Sequence, residues 1–339
     1  MISAAPGGTL GGRYRLVKEI GHGAFGEVWE AWDTNRSHSV ALKLLVRGHT
    51  ADAWVEASLL TQLKSPYILE VNNADVIVDV PFLDTALARD SLDRASSPRG
   101  MEPHLAVESI RRVLRGLSLC HSRGLVHRDV KPANIFVKAN GDIVLGDFGA
   151  AKLMDDSGLV SCGGDPRVRA PEAISTGKQG APADIYGAAV ALYSVLTGRW
   201  PFDQQLQIDL NEAIVSGTRP PLRELAPHVS RSLAAVVDRA LHVDPAARYA
   251  TAAAFDSALG SLPVRTNRFT PLSEHAGHER CWSVEGKSSL YVCLVKDAGT
   301  RVEVTHKKSG RRVGRYGGDC AAPKVGPVLR KTFDELRNQ

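Results

Sequence analysis

The stretch LCHSRGLVHRDVKPANIFV, residues 119–137, places a group of polar side chains between two apolar ends. The polar group, which fits within eight residues, consists of His127, Arg128, Asp129, Lys131 and Asn134. Charged side chains are seldom buried without partners, so the middle of this stretch is either an exposed loop or a site. The sequence on either side of it decides between these alternatives.

A predicted hairpin follows the stretch. Asn140-Gly141 separates two apolar runs and is the dipeptide most typical of a tight hairpin turn. Asn134 precedes this hairpin and Asp147 follows it directly, so the two side chains can converge on a divalent cation. Mg²⁺ prefers such oxygen ligands together with phosphates. Asp129 then remains either to accept a hydroxyl proton or to orient that hydroxyl, with Lys131 to steady a phosphoryl group, and the stretch predicts a site.

Two upstream features are consistent with phosphate binding. Three glycines lie in GHGAFGEV, residues 21–28, between two strand-like runs, and glycine lets backbone amides approach phosphates. An ordinary turn is the alternative, and the absence of a following helix pattern disfavours a dinucleotide fold. Lys43 lies inside an apolar strand-like run, where it either reaches solvent or pairs with a carboxylate. Glu56, in a predicted helix, is the available partner.

The predicted elements change in character along the chain. Residues 13–88 read mainly as strands, and residues 89–263 read mainly as helices with the hairpin near their start. This order predicts an α+β chain with two packed lobes, the first rich in strands and the second helical.

Taken in order, these motifs resemble the eukaryotic-type Ser/Thr protein kinase family, with similarity to its bacterial members. The resemblance covers residues 13–263 and implies the two-lobed protein kinase fold. It also implies transfer of the ATP γ-phosphoryl group to protein Ser/Thr hydroxyls, including those of the chain's own activation segment, with ATP and Mg²⁺ as cofactors. The alternative is a pseudokinase, a nucleotide-binding docking module that acts through its C-terminal domain.

The resemblance assigns roles residue by residue. The implied catalytic residues are Asp129 as base, Lys131, Lys43 and its partner Glu56. The implied ATP-binding residues are Gly21, Gly23, Gly26, Val28, Ala41, Lys43, the gatekeeper Thr85, Ala86, Ala88 and Phe136. The implied Mg²⁺ ligands are Asn134 and Asp147.

Further structural contacts are also implied by the family. Asp184 would hold the backbone of the catalytic loop, and Glu172 would pair with Arg248. His127 invites interpretation as a general base, but in the family the equivalent histidine packs beside the side chain that corresponds to Phe148.

The activation segment departs from the family at Asp165. Similar kinases carry a threonine there, which bonds to the catalytic aspartate and lysine. A carboxylate would repel Asp129 unless Lys131 bridges the two, or it would raise the pKa of Asp129. We expect this change to affect substrate docking more than phosphoryl transfer.

Two serines are candidate phosphate acceptors in the activation segment, Ser157 and Ser161. Arg128 is the side chain that would bind such a phosphate. Asp155 and Asp156 already supply negative charge, so the segment either orders without modification or is an ordinary solvated loop.

Composition predicts a soluble, cytoplasmic chain. It has 339 residues, 43% of them hydrophobic, and its five scattered cysteines form no Cys-x-x-Cys pair, which fits a reducing compartment. Residues 1–12 read as a tail without the apolar core of a signal peptide, and no run has the roughly 18 to 20 apolar residues that a membrane span needs.

Residues 264–339 do not resemble the kinase family and carry 15 basic against 8 acidic side chains. They predict a small β-β-β-α accessory module, with strands in 288–297, 300–308 and 311–318 and a helix in 325–339. Its basic cluster consists of Lys307, Lys308, Arg311, Arg312 and Arg315. The alternatives are a scaffold with a solvated basic edge, a surface for an acidic protein, and a nucleic-acid site, since double-stranded RNA readers have a similar element order.

Overall fold

The computed structural model describes most of the chain. The described residues are 5–23, 26–45, 63–77, 79–202, 209–263, 267–273, 277–287, 289–295 and 301–338. Glu56 and the helix predicted around it lie outside these ranges.

An antiparallel sheet forms the first lobe. Its strands are β1 (Thr9–Leu10), β2 (Tyr14–Gly23), β3 (Gly26–Asp33), β4 (His38–Leu45), β5 (Val71–Ile77) and β6 (Val80–Ala86), in the spatial order β1-β2-β3-β4-β6-β5. In β4, Leu42 and Leu44 point into a core shared with Trp29. Because successive strand residues face opposite sides, Lys43 lies on the other face of the sheet.

Helices form most of the second lobe, as the apolar patterns predicted. They are α1 (Leu92–Ser96), α2 (Pro103–Ser122), α3 (Pro171–Thr176), α4 (Ala181–Thr197), α5 (Leu210–Ser216), α6 (Leu222–Leu225), α7 (Arg231–Ala240) and α8 (Ala252–Gly260). Helix α4 is buried at every position from Ala183 to Thr197, so it forms the centre of this lobe.

Short strands occur in the part of the chain between β6 and α4. They are β7 (Asp90–Ser91), β8 (Leu125–Val126), β9 (Ile135–Val137), β10 (Ile143–Leu145), β11 (Lys152–Leu153), β12 (Val160–Ser161) and β13 (Lys178–Gln179). Strands β9 and β10 form the predicted hairpin. Gly141 has φ +87°, a conformation that favours glycine in the turn. The hairpin therefore places Asn134 just before β9 and Asp147 just after β10.

The C-terminal region is a five-stranded antiparallel sheet with a terminal helix. Its elements are β14 (Arg268–Pro271), β15 (His278–Glu285), β16 (Leu290–Val295), β17 (Arg301–His306), β18 (Gly318–Asp319) and α9 (Val325–Arg337). Two of the predicted strands and the helix match β16, β17 and α9. The predicted strand at 311–318 is wrong, because this run makes an isolated bridge at Arg312 and then turns, with the Tyr316 amide donating to the Val313 carbonyl at 3.1 Å, before β18 begins at Gly318.

This sheet packs against the helical lobe through polar contacts. Trp282 Nε1 donates to Nδ1 of the buried His228 at 3.1 Å. Asp334 on α9 accepts from Arg223 at 2.7 Å and from Arg231 at 3.3 Å. Polar and charged contacts thus hold the C-terminal sheet and helix on the surface formed by α6 and α7.

Acid should weaken this packing through His228. Burial, reinforced by the nearby charges of Arg280 and Arg337, lowers the pKa of His228 to about 3 from its ordinary 6.5. The unfolded chain therefore takes up a proton that the folded chain resists, and stability falls as the pH drops from about 6.5 towards 3. The expected slope is up to about 1.4 kcal/mol per pH unit.

Denaturant unfolding between pH 5 and 8 measures this slope. The His228→Gln variant should show a flatter pH dependence than the wild type, and His104→Gln, a change at an exposed histidine, should keep the wild-type slope. Parallel loss of stability in wild type and His228→Gln on acidification would contradict the assignment.

Candidate active site

Helix α4 holds the loop that carries Asp129 through the side chain of Asp184. Asp184 accepts hydrogen bonds from the backbone amides of His127 and Arg128, each at 2.8 Å, and from His121 Nε2 at 2.8 Å. Burial alone would raise the pKa of Asp184, but the hydrogen bond and charge of His121, together with the charge and backbone amide of His127, outweigh it and the pKa is lowered. The ionised carboxylate therefore fixes the loop backbone, as predicted.

Asp129 lies at the centre of a network of donors and is only 6% exposed. Its Oδ2 accepts from Asn134 Nδ2 at 2.9 Å and lies 2.9 Å from Lys131 Nζ. Its Oδ1 accepts from the backbone amide of Asp165 at 2.8 Å. These contacts give the carboxylate a fixed position and orientation.

Asp147 links the two lobes through Lys43. Its Oδ1 lies 2.8 Å from Lys43 Nζ, so the lysine of β4 reaches the residue that follows β10. Burial would raise the pKa of Asp147, but the charge and hydrogen bond of Lys43, together with the charges of His127 and Lys131, outweigh it and the pKa is lowered. Its backbone adopts the left-handed conformation with φ +55°, which is uncommon for aspartate and typical of functional sites.

Asn134 and Asp147 carry a donor set that fits Mg²⁺. Asn134 uses its amide nitrogen on the backbone oxygen and Oδ2 of Asp129, which leaves the amide oxygen to act as a ligand. Asp147 keeps 35% of its side-chain surface exposed despite its bond to Lys43. Hard oxygen ligands from one carboxylate and one amide, supplemented by phosphate oxygens, are what Mg²⁺ requires.

The implied ATP-binding residues of the first lobe line up across its strands. Gly21 pairs with Val28, which pairs with Lys43, and Ala41 pairs with Thr85. In an antiparallel sheet such opposed residues share one face, so the glycine turn, Val28 and Lys43 lie on the same side.

The remaining implied ATP-binding residues occupy three places. Gly23 pairs with Gly26 where β2 turns into β3, and a side chain at Gly26 would overlap the backbone oxygen of Leu44. Ala86 ends β6 and Ala88 follows it, both half-buried, while the half-buried Phe136 lies in β9 of the second lobe. The pairing of Lys43 with Glu56 stays a prediction because Glu56 is outside the described residues.

Arg128 ties the activation segment to the catalytic loop. Its guanidinium donates to the backbone oxygen of Ala150 and, at 2.9 Å, to that of Ser161. Strand β11 pairs with β8 and strand β12 pairs with β13, so both ends of the segment are held by backbone hydrogen bonds. Ser157 and Ser161 are both exposed.

Asp165 is bridged to Asp129 by Lys131. Lys131 Nζ lies 2.9 Å from Asp129 Oδ2 and 3.2 Å from Asp165 Oδ2, which is the bridging alternative. Arg167 binds the same Asp165 carboxylate with Nη2 at 2.6 Å and Nε at 3.0 Å. Burial would raise the pKa of Asp165, but the hydrogen bonds from Arg167 and the charge of Lys131 lower it. The carboxylate is therefore ionised and neutralised on two sides.

Arg167 was not identified from the sequence. Its guanidinium also stacks on Trp200, with its carbon 4.3 Å from the ring centroid, so it is held from both sides. The sequence signal was the spacing of two residues, because Asp165 caps the short helical turn by accepting a hydrogen bond from the backbone amide of Arg167.

Two predicted contacts are present. Arg248 donates to Glu172 through Nη1 at 2.9 Å and Nη2 at 2.7 Å. The rings of His127 and Phe148 meet edge to face with centroids 4.6 Å apart, and His127 Nε2 lies 3.1 Å from the backbone oxygen of Gly146. His127 is fully buried, which fits a packing role and not that of a base.

This fold and site define a protein kinase. The family model for the protein kinase domain matches residues 14–259, so the chain belongs to the protein kinase family. Within the part of the chain that the structure describes, no helix is both long and apolar enough to cross a membrane.

Its relatives are serine/threonine kinases. The CBL-interacting serine/threonine-protein kinase 1 of Arabidopsis thaliana is 32% identical over 241 residues, which cover 67% of this chain and 54% of that protein. The kinase PknE of Mycobacterium tuberculosis is 32% identical over 256 residues, with coverage of 72% and 45%. The kinase pkn2 of Myxococcus xanthus is 30% identical over 281 residues, with coverage of 78% and 34%. The chain thus spans about a third to a half of the length of these relatives.

Proposed function

We propose that the chain transfers the γ-phosphoryl group of ATP to serine or threonine hydroxyls of proteins. The observation that carries this proposal is the meeting of Lys43 and Asp147 from the two lobes, beside the network around Asp129. A phosphoryl transfer site needs cations for the phosphates, oxygen ligands for a metal and a carboxylate for the hydroxyl. Lys43 and Lys131, then Asn134 and Asp147, and finally Asp129 would meet these three needs.

In the proposed reaction, the substrate hydroxyl oxygen bonds to the γ-phosphorus as the bond to the β,γ-bridging oxygen breaks and ADP leaves. Asp129 orients the hydroxyl and accepts its proton, and Lys131 balances the charge on the transferred group. Lys43 holds the α and β phosphates and Glu56 holds Lys43. Mg²⁺, when bound by Asn134 and Asp147, neutralises charge on the phosphate oxygens.

The remaining assignments concern nucleotide recognition. Backbone amides of the glycine turn would cover the phosphates, and the adenine would lie between the first-lobe side chains and Phe136. The residues proposed for this are Gly21, Gly23, Gly26, Val28, Ala41, Thr85, Ala86, Ala88 and Phe136. The shared strand face of Gly21, Val28 and Lys43 supports this arrangement.

The test is transfer of labelled phosphate from ATP to a generic basic protein in the presence of Mg²⁺. We expect label on serine or threonine, and none when Mg²⁺ is chelated. A chain that is stabilised by nucleotide yet transfers no label would be a pseudokinase. That alternative is not favoured, because Lys43, Asp129, Asn134 and Asp147 are all present.

We propose Ser161 as the autophosphorylation site of the activation segment. Its exposed hydroxyl lies 3.3 Å from Lys152 Nζ, a cation that would stabilise a phosphate. The Ser157 hydroxyl bonds instead to the Asp155 carboxylate, which would repel a phosphate. Ser161→Ala should remove most label from the segment and Ser157→Ala little, as measured by peptide mass spectrometry. Label confined to Ser157 would contradict this.

The division of the chain into a tail at 1–12, a kinase domain at 13–263 and a basic module at 264–339 is also a proposal. The separate apolar core of the C-terminal sheet and helix supports it. Lys308, Arg311 and Arg312 are exposed at the turn after β17, which suits an acidic protein or a nucleic acid as a partner. A cytoplasmic location is supported only by cysteines that form no disulfide bonds.

A further inference from the structure

Three metal-binding side chains meet in the C-terminal sheet, which the proposed kinase reaction does not use. His278 and Cys281 lie on β15 and Cys293 lies on β16, and their ligand atoms are all within 4.8 Å of one another. Cys281 is 3% exposed and Cys293 is 5% exposed, while His278 is half-buried. Such a group of one imidazole and two thiols is the donor set of many zinc sites.

The pairing of β15 with β16 brings the two thiols together. Cys281 is directly opposite Cys293 in the antiparallel register. Their neighbours Trp282 and Val292 point the other way, into the apolar core under α9. The two cysteines therefore share the face of the sheet that is turned away from this core.

A β-bulge adds the histidine to the same face. His278 and Cys281 are three residues apart, so in a regular strand they would point to opposite faces. The register shifts between His278 and Arg280, and as a result His278 is opposite Val295 while Cys281 is opposite Cys293. Val295 and Cys293 are two residues apart and share a face, so the bulge restores His278 to the side of the thiols.

The size of the cluster suits a tetrahedral ion. Zinc binds thiolate sulfur at about 2.3 Å and imidazole nitrogen at about 2.0 Å, so the ligand atoms of a tetrahedral site are about 3.4 to 3.8 Å apart. The separations between the ligand atoms, none above 4.8 Å, exceed this range by about 1.4 Å at most, which side-chain rotation can close. Soft thiolates together with imidazole select zinc over magnesium or calcium.

We propose that His278, Cys281 and Cys293 bind one Zn²⁺ ion, with water as the fourth ligand. Two zinc–sulfur bonds and one zinc–nitrogen bond form, and the two thiol protons pass to solvent. The ion links β15 to β16 and stabilises the C-terminal sheet. The proposal is independent of the kinase activity.

Cobalt is the spectroscopic probe for this site, because thiolate ligands give Co²⁺ strong charge-transfer absorption. The full chain, stripped with a chelator, should bind one thiolate-ligated Co²⁺ that Zn²⁺ displaces. Cys281→Ser or Cys293→Ser should abolish the absorption, and His278→Gln should weaken binding by at least about tenfold. Cys320→Ser, a change in the same module outside the cluster, should bind like the wild type.

A second measurement covers the case in which a cysteine variant fails to fold. Zn²⁺ should raise the melting temperature of the wild-type chain and slow alkylation of Cys281 and Cys293, but not of Cys162, as followed by mass spectrometry. Alkylation at the same rate with and without Zn²⁺ would overturn the proposal. So would cobalt–thiolate absorption that persists in Cys281→Ser, or rapid formation of a Cys281–Cys293 disulfide by oxidised glutathione despite bound Zn²⁺.

Discussion

Asp147→Asn is expected to reduce phosphate transfer by at least about 100-fold while the chain remains folded. The substitution keeps the size of the side chain and removes its charge. That charge holds Lys43 Nζ at 2.8 Å and, in the proposed site, binds Mg²⁺. Without it, Lys43 loses the contact that places it beside the second lobe, and the metal loses its carboxylate ligand. The initial rate of label transfer from ATP to a basic protein measures the effect.

Asp142→Asn is the matched control, because it makes the same chemical change in the same hairpin. Asp142 lies at the turn, bonds to Arg112 at 2.9 Å and has 41% of its side-chain surface exposed. The phosphate-transfer activity of the Asp142→Asn variant should remain within about twofold of the wild type, since an exposed ion pair contributes little to stability. Undiminished transfer by Asp147→Asn would sink the assignment of Asp147, and equal losses in both variants would point to damage to the hairpin.

The sequence predicted best those parts whose chemistry is local. The turn at Asn140-Gly141 needs a positive φ, so the hairpin and the positions of Asn134 and Asp147 on either side of it followed directly. The partners of Asp184 and Glu172 were also correct, although here the family resemblance supplied the pairing.

The C-terminal sheet was predicted less well. Strand β15 was missed because a bulge interrupts its alternation and because His278, Glu279 and Arg280 make its start look polar. The run at 311–318 looked like a strand, yet the chain turns at Gly314 and Arg315. Arg167 was overlooked because its guanidinium is also held by Trp200, which is distant in the sequence and is brought close only by folding. Tertiary contacts of this kind leave no periodic signal in a sequence.

Asp165→Lys should reduce phosphate transfer by at least about 100-fold, the second large effect that we expect. At present the carboxylate of Asp165 is neutralised by Lys131 at 3.2 Å and by the fork of Arg167. A lysine would place three cations together, and they would compete for the single carboxylate of Asp129. Lys131 would then be displaced from the position in which it faces the transferred phosphoryl group.

Asp165→Thr removes the carboxylate charge but keeps the backbone contact, so it distinguishes an effect of charge from an effect on the fold. The backbone amide of residue 165 still donates to Asp129 in any such variant, since that 2.8 Å bond does not involve the side chain. A threonine hydroxyl can bond to Lys131 and Asp129 as the family's threonine does, so transfer should stay within about tenfold of the wild type. An activity loss in either variant has two possible causes, impaired docking of the protein substrate or displacement of Lys131. Rates measured at varied concentrations of ATP and of protein substrate distinguish them, because impaired docking raises the KM for protein, whereas a displaced Lys131 lowers kcat. If Asp165→Lys retained the wild-type kcat, the position of Lys131 would not depend on Asp165. The bridge that Lys131 forms between Asp129 and Asp165 would then have no part in catalysis.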